Sequence, residues 1–382
     1  MKNLIYKILI ISILITNFVV ANATNSKDTT WNNRKSNVQE FSKVVYKEFN
    51  ISAFGTTNLS NKYGRMDVHT WEGNTVKIKV TILADADNQQ KADETFNKIN
   101  INFYNDANFV KAETIIAEGS NWKMWNNDRN DYTINYDVYY PRGNFLDLSN
   151  RYGDANIGYT KGAVKVNVKY GNVNTENIDN DIECLLAYGN ANIAKVGNMK
   201  GEMSYSNIEL AECKDFSATL KYSKAVIQRA EKMSLPSSRY SHYEIGSVNS
   251  ITYDSAYDSY EIKSIRDMSG KGKYTDINID KLENSCDIDA GYGETRIDQV
   301  GKSFSSIRID ANYSDTEIDF GSDANYQLDA SSNYGDISVP QAFKSTYHSN
   351  KDNSESIEGT HGNGSNKGRV KLKNNYADIK IK

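Results

Sequence analysis

Two glutamates, Glu244 and Glu261, occupy equivalent positions in consecutive copies of a short repeat in this 382-residue chain. Each is the fourth residue after a tyrosine, Tyr240 or Tyr257, so copies that stack in register would place the two carboxylates side by side. Like charges at that distance raise a pKa or attract a cation, and paired carboxylates can also cleave glycosidic bonds. Because exposed carboxylates screened by water account for the same residues, we predict no catalytic residue and no enzymatic activity.

Tyrosine is concentrated in the same two copies of the repeat. An exposed tyrosine on a rigid strand can hold a sugar or a protein partner, since it combines apolar area with a polar tip. The alternative is that most of these rings form a stacked core. The predicted ligand surface consists of Tyr240, Tyr243, Glu244, Tyr253, Tyr257, Tyr260 and Glu261.

Few other residues of the sequence suggest chemistry. The four histidines lie far apart and lack the spacing of metal ligands: His69, His242, His348 and His361. No nucleophile-elbow, zinc-protease or phosphate-loop motif occurs. The three cysteines are an odd number without a CxxC spacing, so we expect no disulfide framework. Cys184 and Cys286 fall on inward positions and predict buried free thiols. The sequence therefore predicts no metal site and no cofactor.

The elements that position these residues follow from the repeat itself. In all copies but the one at Tyr170, a tyrosine is followed by a short turn and, five positions on, by a branched aliphatic residue, as in Tyr152-Gly-Asp-Ala-Asn-Ile. The copies are separated by 17 to 21 residues, with an outlying early copy at Tyr63 and one final step of 42 residues, which indicates a degenerate or replaced copy. They begin at Tyr152, Tyr170, Tyr188, Tyr205, Tyr222, Tyr240, Tyr257, Tyr274, Tyr292, Tyr313, Tyr334 and Tyr376.

Each copy is read as strand, corner, strand and loop. Apolar residues alternate with polar ones before the tyrosine, as at Ile307, Ile309 and Ala311, which is typical of a half-buried strand. One such unit cannot bury its own inner face, but units stacked about 4.8 Å apart can. The sequence thus predicts an all-β fold, a parallel β-solenoid of about twelve rungs of 17–21 residues. We expect the tyrosines to stack at the corner and the second residue after each, such as Asn172, to form a polar ladder.

The two ends of the chain differ from the repeat. Residues 1–23 predict a cleaved signal peptide, with Lys2 and Lys7 before an apolar run and a small-x-small site at its end. That run is too short for a typical membrane span, although an uncleaved N-terminal anchor is the alternative. We therefore expect an exported protein without a transmembrane span after cleavage, located in the periplasm, on the outer-membrane surface or outside the cell.

The remaining chain divides into a cap and the solenoid. Residues 24–147 predict a β-rich cap with one helix, Asn88–Ile101, between strand-like runs, because the open end of a solenoid must be covered. Residues 148–382 form the solenoid. Within it, residues 341–368 are rich in Ser, Asn, Gly and Lys and predict a mobile polar loop, after which the chain returns as the last rung at Tyr376.

Charge and composition exclude some partners. The formal net charge is −4 and the pI is near 5.7, and no Lys/Arg cluster stands out, so we predict no nucleic-acid partner. The mean hydropathy of −0.65 is polar, which suits a thin fold whose core is a narrow stripe. Only three prolines occur against 24 glycines and 26 tyrosines, and tyrosine favours strands while glycine permits tight bends.

The start of the mature chain resembles bacterial β-strand-repeat proteins regarded as candidate adhesins. The resemblance lies in Glu48, Phe49, Asn50, Leu59, Tyr63, Gly64, Trp71, Asn74, Val76, Ile78 and Val80. The segment Lys91-Ala92-Asp93 and the later Tyr-Gly-Asp-x-x-Ile copies also look like that family, although the turns at Tyr222 and Tyr257 are degenerate. The resemblance implies an exported solenoid of bacterial origin and offers no catalytic residues to carry over.

Two functions remain open from the sequence. The first is an exported, non-enzymatic adhesin or envelope scaffold whose partner is an unknown protein or carbohydrate at the cell envelope. The second is a solenoid that binds or cleaves polysaccharide, which predicts a groove lined by tyrosines and carboxylates.

Overall fold

The computed structural model of the protein describes residues 38–117, 132–364 and 367–382. The predicted signal peptide, residues 1–23, lies outside the described residues. Within them the chain forms strands and a single helix, and the strands join in one continuous sheet. The prediction of an all-β parallel solenoid with an N-terminal strand–helix–strand cap is confirmed, with small differences in the number of rungs and in the cap.

The N-terminal strands cover one end of the solenoid. They are β1 (Gln39–Asn50), β2 (Thr56–Lys62), β3 (Met66–Trp71), β4 (Thr75–Ala86), β5 (Ile99–Asn105), β6 (Phe109–Ile116) and β7 (Tyr132–Pro141), with the helix α1 (Gln89–Phe96) between β4 and β5. β1 and β7 flank β4 in antiparallel pairing, and β5 and β6 form a hairpin. β2 and β3 pair in parallel with strands of the solenoid, so the first rung is made before the excursion through β4 to β7.

The helix of the cap is shorter than the sequence predicts. Asn88 caps it, since its side chain accepts a hydrogen bond from the Lys91 N–H at 3.1 Å, and Ala92 and Phe96 are its buried residues. The predicted end at Ile101 is wrong. From Ile99 onward, apolar and polar residues alternate with a period of two, and this segment pairs as β5 with β6.

The central part of the chain is the regular coil. Its strands are β8 (Phe145–Arg151), β9 (Ala155–Ile157), β10 (Val164–Lys169), β11 (Val173–Thr175), β12 (Ile182–Ala187), β13 (Asn190–Lys195), β14 (Met199–Ser204), β15 (Asn207–Lys221), β16 (Lys224–Arg239), β17 (His242–Ala256), β18 (Ser259–Lys273), β19 (Asp276–Ile279), β20 (Leu282–Ile297) and β21 (Ser306–Ile318).

Neighbouring rungs of the coil pair in parallel and in register. One inward column runs from Val164 through Ile182 and Met199 to Phe216, and all four side chains are buried. Repetition of such columns makes a narrow apolar core inside a polar surface. Cys184 lies in this core, and Cys213 and Cys286 are buried as well; all three are free thiols, as the sequence predicts for two of them.

A ladder of stacked tyrosines forms one corner of the rod. Among the described residues, thirteen tyrosines, one more than the twelve regular copies of the repeat, have a left-handed backbone with φ between 51° and 61°. That conformation costs a non-glycine residue about 1–2 kcal/mol. Neighbouring rings lie 4.7–5.1 Å apart between centroids, and ring stacking offsets part of the backbone cost. In spatial order this tyrosine ladder is Tyr63, Tyr152, Tyr170, Tyr188, Tyr205, Tyr222, Tyr240, Tyr257, Tyr274, Tyr292, Tyr313, Tyr376 and Tyr334.

The corners of the rod use two hydrogen-bond patterns. In the first, the second residue after the tyrosine accepts with its side chain: the Asn190 N–H donates to Asn172 Oδ1 at 3.0 Å, and the Asp378 N–H donates to Asp315 Oδ1 at 3.0 Å. In the second, the backbone carbonyl of the residue directly after the tyrosine accepts, and the His242 N–H donates to the Ser223 carbonyl at 3.0 Å. The predicted polar ladder of Asp and Asn residues is thus present at the corners with the first pattern. At the corners with the second pattern the second residue is released from that structural role.

The C-terminal strands do not follow chain order. They are β22 (Tyr326–Asn333), β23 (Ile337–Ser338), β24 (Lys344–Lys351), β25 (Ser354–His361), β26 (Gly368–Asn375) and β27 (Ile379–Ile381). β26 pairs in parallel with β21 on one side and with β22 on the other, so it lies between two rungs that precede it in the chain. The prediction that Tyr376 forms the last rung is therefore wrong, because Tyr334 ends the ladder and Tyr376 is next to last.

The predicted polar loop at residues 341–368 is largely a β-hairpin. β25 pairs antiparallel with β22, and β24 pairs antiparallel with β25. Ile357 of β25 is buried, whereas β24 is almost wholly exposed. A strand at the edge of a sheet needs no apolar face, so its Ser, Thr, Asn and Lys residues resemble a loop in sequence. The missing rung is supplied by the inserted β26 and β27.

Candidate functional site

The structure separates the seven residues of the predicted ligand surface into core and surface groups. Tyr243, Tyr253 and Tyr260 are buried, with 0%, 5% and 0% of their surface exposed, so their inclusion in that surface is wrong. Tyr243 and Tyr260 stand three residues after a ladder tyrosine, a position that points inward in every rung. Tyr240 and Tyr257 belong to the tyrosine ladder and are about half exposed.

The buried tyrosines form a polar patch inside the core. The Tyr243 and Tyr260 rings stack with centroids 4.6 Å apart. Their hydroxyls contact the Ser238 and Ser255 hydroxyls, the first at 2.7 Å. Burial raises the pKa of both phenols, so they stay protonated at neutral pH. Tyr243 and Tyr260 are therefore structural residues that have hydrogen-bond partners inside the rod.

Asp258 is a buried carboxyl that directly follows the ladder residue Tyr257. The same position is Ser206, Ser223 and Ser241 in the three preceding rungs. Its Oδ1 accepts the Ser241 N–H at 2.7 Å, but its Oδ2 has no hydrogen-bond partner within the described residues. Desolvation raises the pKa of Asp258 above its usual value. The rung therefore contains an acid whose charged form is unfavourable in the folded state.

Substitution of Asp258 by serine should stabilise the rod at neutral pH. Serine can keep the acceptor, since Ser241 Oγ already accepts the Ser223 N–H at 3.4 Å in the preceding rung. When the pKa of a carboxyl is higher in the folded than in the unfolded state, the fold loses stability as the pH rises. The loss begins near the pKa of the unfolded state, about 4, and is complete above the pKa of the folded state. We expect the melting temperature of D258S to exceed that of the native chain at pH 7 and the difference to shrink toward pH 3.

Thermal unfolding followed by circular dichroism across that pH range measures this difference. The control is Asp258→Ala, which removes the charge and also leaves the Ser241 N–H without its acceptor, so it should gain less than D258S. A difference between D258S and the native chain that is equal at pH 3 and pH 7 would contradict the role of the carboxyl charge.

Glu244 and Glu261 meet on the outer face of the rod as predicted from the repeat. They are direct partners in the parallel pairing of β17 with β18. Glu244 Oε1 lies 2.5 Å from Lys224 Nζ and 3.2 Å from His242 Nε2. The hydrogen bond from Lys224 is the main cause that holds the pKa of Glu244 below its usual value, and His242 adds to it. Glu244 is therefore ionised at neutral pH.

An open groove of about 430 Å³ runs beside these carboxylates. It is lined by Val226, Ile227, Gln228, Glu244, Ile245, Gly246, Glu261, Ile262, Lys263, Asn278 and Asp280. No tyrosine is among these lining residues, in contrast to the prediction of a groove with tyrosines and carboxylates. Glycoside cleavage needs one carboxylic acid with a raised pKa as proton donor, and the lowered pKa of Glu244 is opposite to that requirement.

His242 and Lys224 belong to this site but were not predicted as site residues. His242 stands two positions before Glu244 in the same strand, so both side chains point outward. Lys224 pairs with His242 across β16 and β17. Because the side chains of these two residues and of Glu244 and Glu261 all point outward, and because their rungs pair in register, the sequence could have predicted that the four lie together. We name Lys224, His242, Glu244 and Glu261 the carboxylate cluster.

In the described parts of the chain, no helix combines the length and the apolar character that crossing a membrane would require.

Comparison with known proteins supports the fold family. The family model of Toastrack DUF4097 matches residues 57–382. No curated protein matches the chain. The candidate-adhesin family resemblance seen in the sequence is confirmed.

Solved structures similar to the chain share little sequence with it. A candidate cell adhesion protein from Clostridium sporogenes is 11% identical, covers 89% of this chain and 99% of its own, and has a TM-score of 0.20. A candidate adhesin from Parabacteroides merdae is 12% identical, covers 72% and 95%, and has a TM-score of 0.27. A candidate lipid binding protein from Parabacteroides distasonis is 12% identical, covers 72% and 95%, and has a TM-score of 0.28. At these TM-scores the neighbours carry no conclusion about the site.

Proposed function

The chain belongs to the Toastrack DUF4097 family, and from that premise we propose that it is an exported, non-enzymatic rod that binds a protein or carbohydrate partner at the cell envelope, as an adhesin or a scaffold. Export rests on the predicted signal peptide at residues 1–23. The binding role rests on the shape and surface of the solenoid.

The observation that carries the proposal is the unbroken ladder from Tyr63 to Tyr334. Its twelve steps of 4.7–5.1 Å make a rod on the order of 60 Å long. Because each rung is fixed by backbone pairing to its neighbours, the rod presents side chains in rows at regular intervals. Stacked repeats characteristically provide extended binding surfaces of this kind, and a row of similar sites suits a repetitive or multivalent partner.

On the outer face of the coil, polar and charged side chains of neighbouring rungs contact each other in pairs. Arg308 bonds Asp287 and Asp289 across rungs at 2.7 and 2.8 Å, and Asn192 donates to Asn174 Oδ1 at 2.9 Å. Such pairs between exposed groups contribute little stability, so they leave the surface free to exchange partners. They support a rod that recognises a partner through polar contacts on a rigid frame.

The second candidate is a solenoid that binds or cleaves polysaccharide. It is favoured by the groove of about 430 Å³ beside Glu244 and Glu261. The ion pair of Glu244 with Lys224 weighs against cleavage, because it opposes the protonated state that a general acid needs. Binding of a sugar chain without cleavage remains compatible with the first proposal.

A turnover assay separates the two candidates. The purified chain is incubated with a panel of plant, algal and bacterial polysaccharides, and the release of reducing ends or unsaturated sugars is followed. We expect no release by the native chain. Release that disappears in Glu244→Gln/Glu261→Gln would overturn the non-enzymatic proposal. The matched control is Glu294→Gln/Asp315→Asn, a pair of exposed carboxylates that are also neighbours in register.

A further inference from the structure

Three side chains of the carboxylate cluster offer metal-ligand atoms to one point in space. A ring nitrogen of His242 and one carboxylate oxygen each of Glu244 and Glu261 all lie within 4.8 Å of one another. The side chains of His242 and Glu244 are about one third exposed, and Glu261 is exposed. The ligand atoms are therefore accessible from solvent, while their backbones are fixed in β17 and β18.

The His242 ring is held in the orientation that such a site requires. Its Nδ1 lies 2.7 Å from Ser259 Oγ, and its Nε2 faces Glu244 Oε1 at 3.2 Å. A metal-binding imidazole usually has its second nitrogen fixed by a polar neighbour, because this sets both the tautomer and the ring plane. Ser259 provides that neighbour and leaves Nε2 directed at the carboxylates.

The side chain of His242 is not needed to accept the backbone N–H of the next rung. At other corners this position is Asp154 or Asn172, and its side chain accepts the backbone N–H of the next rung. At the corner that follows His242, the Ser259 N–H donates to the Ser241 carbonyl instead, at 3.0 Å. The side chain of residue 242 can thus take another role without loss of the rung.

The ammonium group of Lys224 already places a positive charge in the cluster. Lys224 Nζ lies 2.5 Å from Glu244 Oε1, so the carboxylates attract positive charge at this place. An exposed lysine of this kind is held by a modest ion pair and has a flexible stem. A divalent ion that gains three ligands can displace it.

We propose that His242, Glu244 and Glu261 bind one first-row divalent transition-metal ion of the Zn²⁺ type, and that Lys224 competes with this ion for Glu244. One imidazole and two carboxylates are a donor set that Zn²⁺ accepts. Three protein ligands would leave a fourth position for a water molecule or a group of a partner. This inference goes beyond the proposed function, since metal binding by the purified chain does not depend on its location or partner.

Calorimetric titration with ZnCl₂ tests the proposal on the full mature chain, purified without a histidine tag. We expect one Zn²⁺ per chain and at least tenfold weaker binding for His242→Asn or Glu261→Gln. Lys224→Met should bind several-fold more tightly than the native chain, because the internal competitor is gone. The absorption of bound Co²⁺ gives a second readout, which reports a coordinated imidazole and carboxylates rather than loose surface association.

The control is His348→Asn. His348 Nε2 contacts Glu355 at 2.8 Å, so it is also a histidine beside a carboxylate, and its loss should leave Zn²⁺ affinity unchanged. All the substituted side chains lie at the surface, and circular dichroism checks that the variants fold. Undiminished binding by His242→Asn would overturn the proposal. So would the absence of binding below about 1 mM Zn²⁺ in both the native chain and Lys224→Met.

Discussion

Substitution of Gly171 by alanine should destabilise the rod by about 3 kcal/mol, a large effect for a single methyl group. A Cβ at Gly171 would lie 2.1 Å from the Gly153 carbonyl oxygen of the rung below. Both groups belong to the backbone at paired corners, so neither can move without parting the rungs. Urea unfolding followed by circular dichroism measures the loss.

Gly291→Ala is the matched control. At that position, which immediately precedes a ladder tyrosine, the nearest atom to a new Cβ is the Gly272 carbonyl oxygen at 3.9 Å, an ordinary contact. Where space allows, alanine in place of glycine stabilises a protein by about 0.4–1 kcal/mol through the unfolded state. We therefore expect the two substitutions to have opposite signs. Equal effects would contradict the close approach of the backbones at the glycine corners.

Removal of residues 367–382 should disorder the C-terminal end of the rod while the central rungs remain intact. β26 is the common neighbour of β21 and β22, and its Leu372 is paired with Ile309 on one side and Ala330 on the other. Without it, both apolar stripes lose their cover and the β22–β25–β24 layer loses its attachment. Hydrogen exchange should show unprotected amides in β22 and β25 and unchanged protection from β10 to β17, because each rung contacts mainly its neighbours.

A synthetic peptide of residues 367–382 should restore that protection when it is added to the shortened chain. The control peptide carries Leu372→Lys, which places a charge at a buried position and should not restore it. Protection of β22 that survives the deletion unchanged would contradict the insertion of β26 between two earlier rungs.

The regular part of the fold could be predicted because one physical pattern repeats. Alternation of apolar and polar residues gives the strands, the tyrosine marks the corner, and the parity of Ile277 and Ile279 defines the inward face. These are local properties, so each copy of the sequence contains the information for its own rung. Stacking then follows from the need to bury the inward face.

The C-terminal end could not be predicted because its order is a non-local property. Nothing in the sequences around Tyr334 and Tyr376 says which one stacks on Tyr313, since both copies share the pattern Tyr-x-Asp-Ile and have a branched aliphatic residue at the next inward position. Their order depends on how β24 and β25 turn back along β22. β24 is an exposed edge that buries no apolar face, so its sequence looks like a loop.

The candidate site was only partly predictable for a similar reason. The repeat placed Glu244 beside Glu261 correctly. Tyr243 and Tyr260 were misjudged as surface residues, although their position is an inward one, because tyrosine is large and polar-tipped and its partners Ser238 and Ser255 lie five residues away in each rung. His242 joined the cluster through side-chain orientation, which the spacing of histidines along the chain does not reveal.

Protease shaving of intact cells, followed by detection of the protein in each envelope fraction, tests the central claim most directly. The proposed role as an adhesin or surface scaffold predicts that external protease removes the protein while a cytoplasmic marker and a periplasmic marker stay intact. Full protection from the protease, with the protein recovered in the cytoplasm, would contradict export. Recovery in the periplasm would contradict adhesion and leave only an internal envelope role.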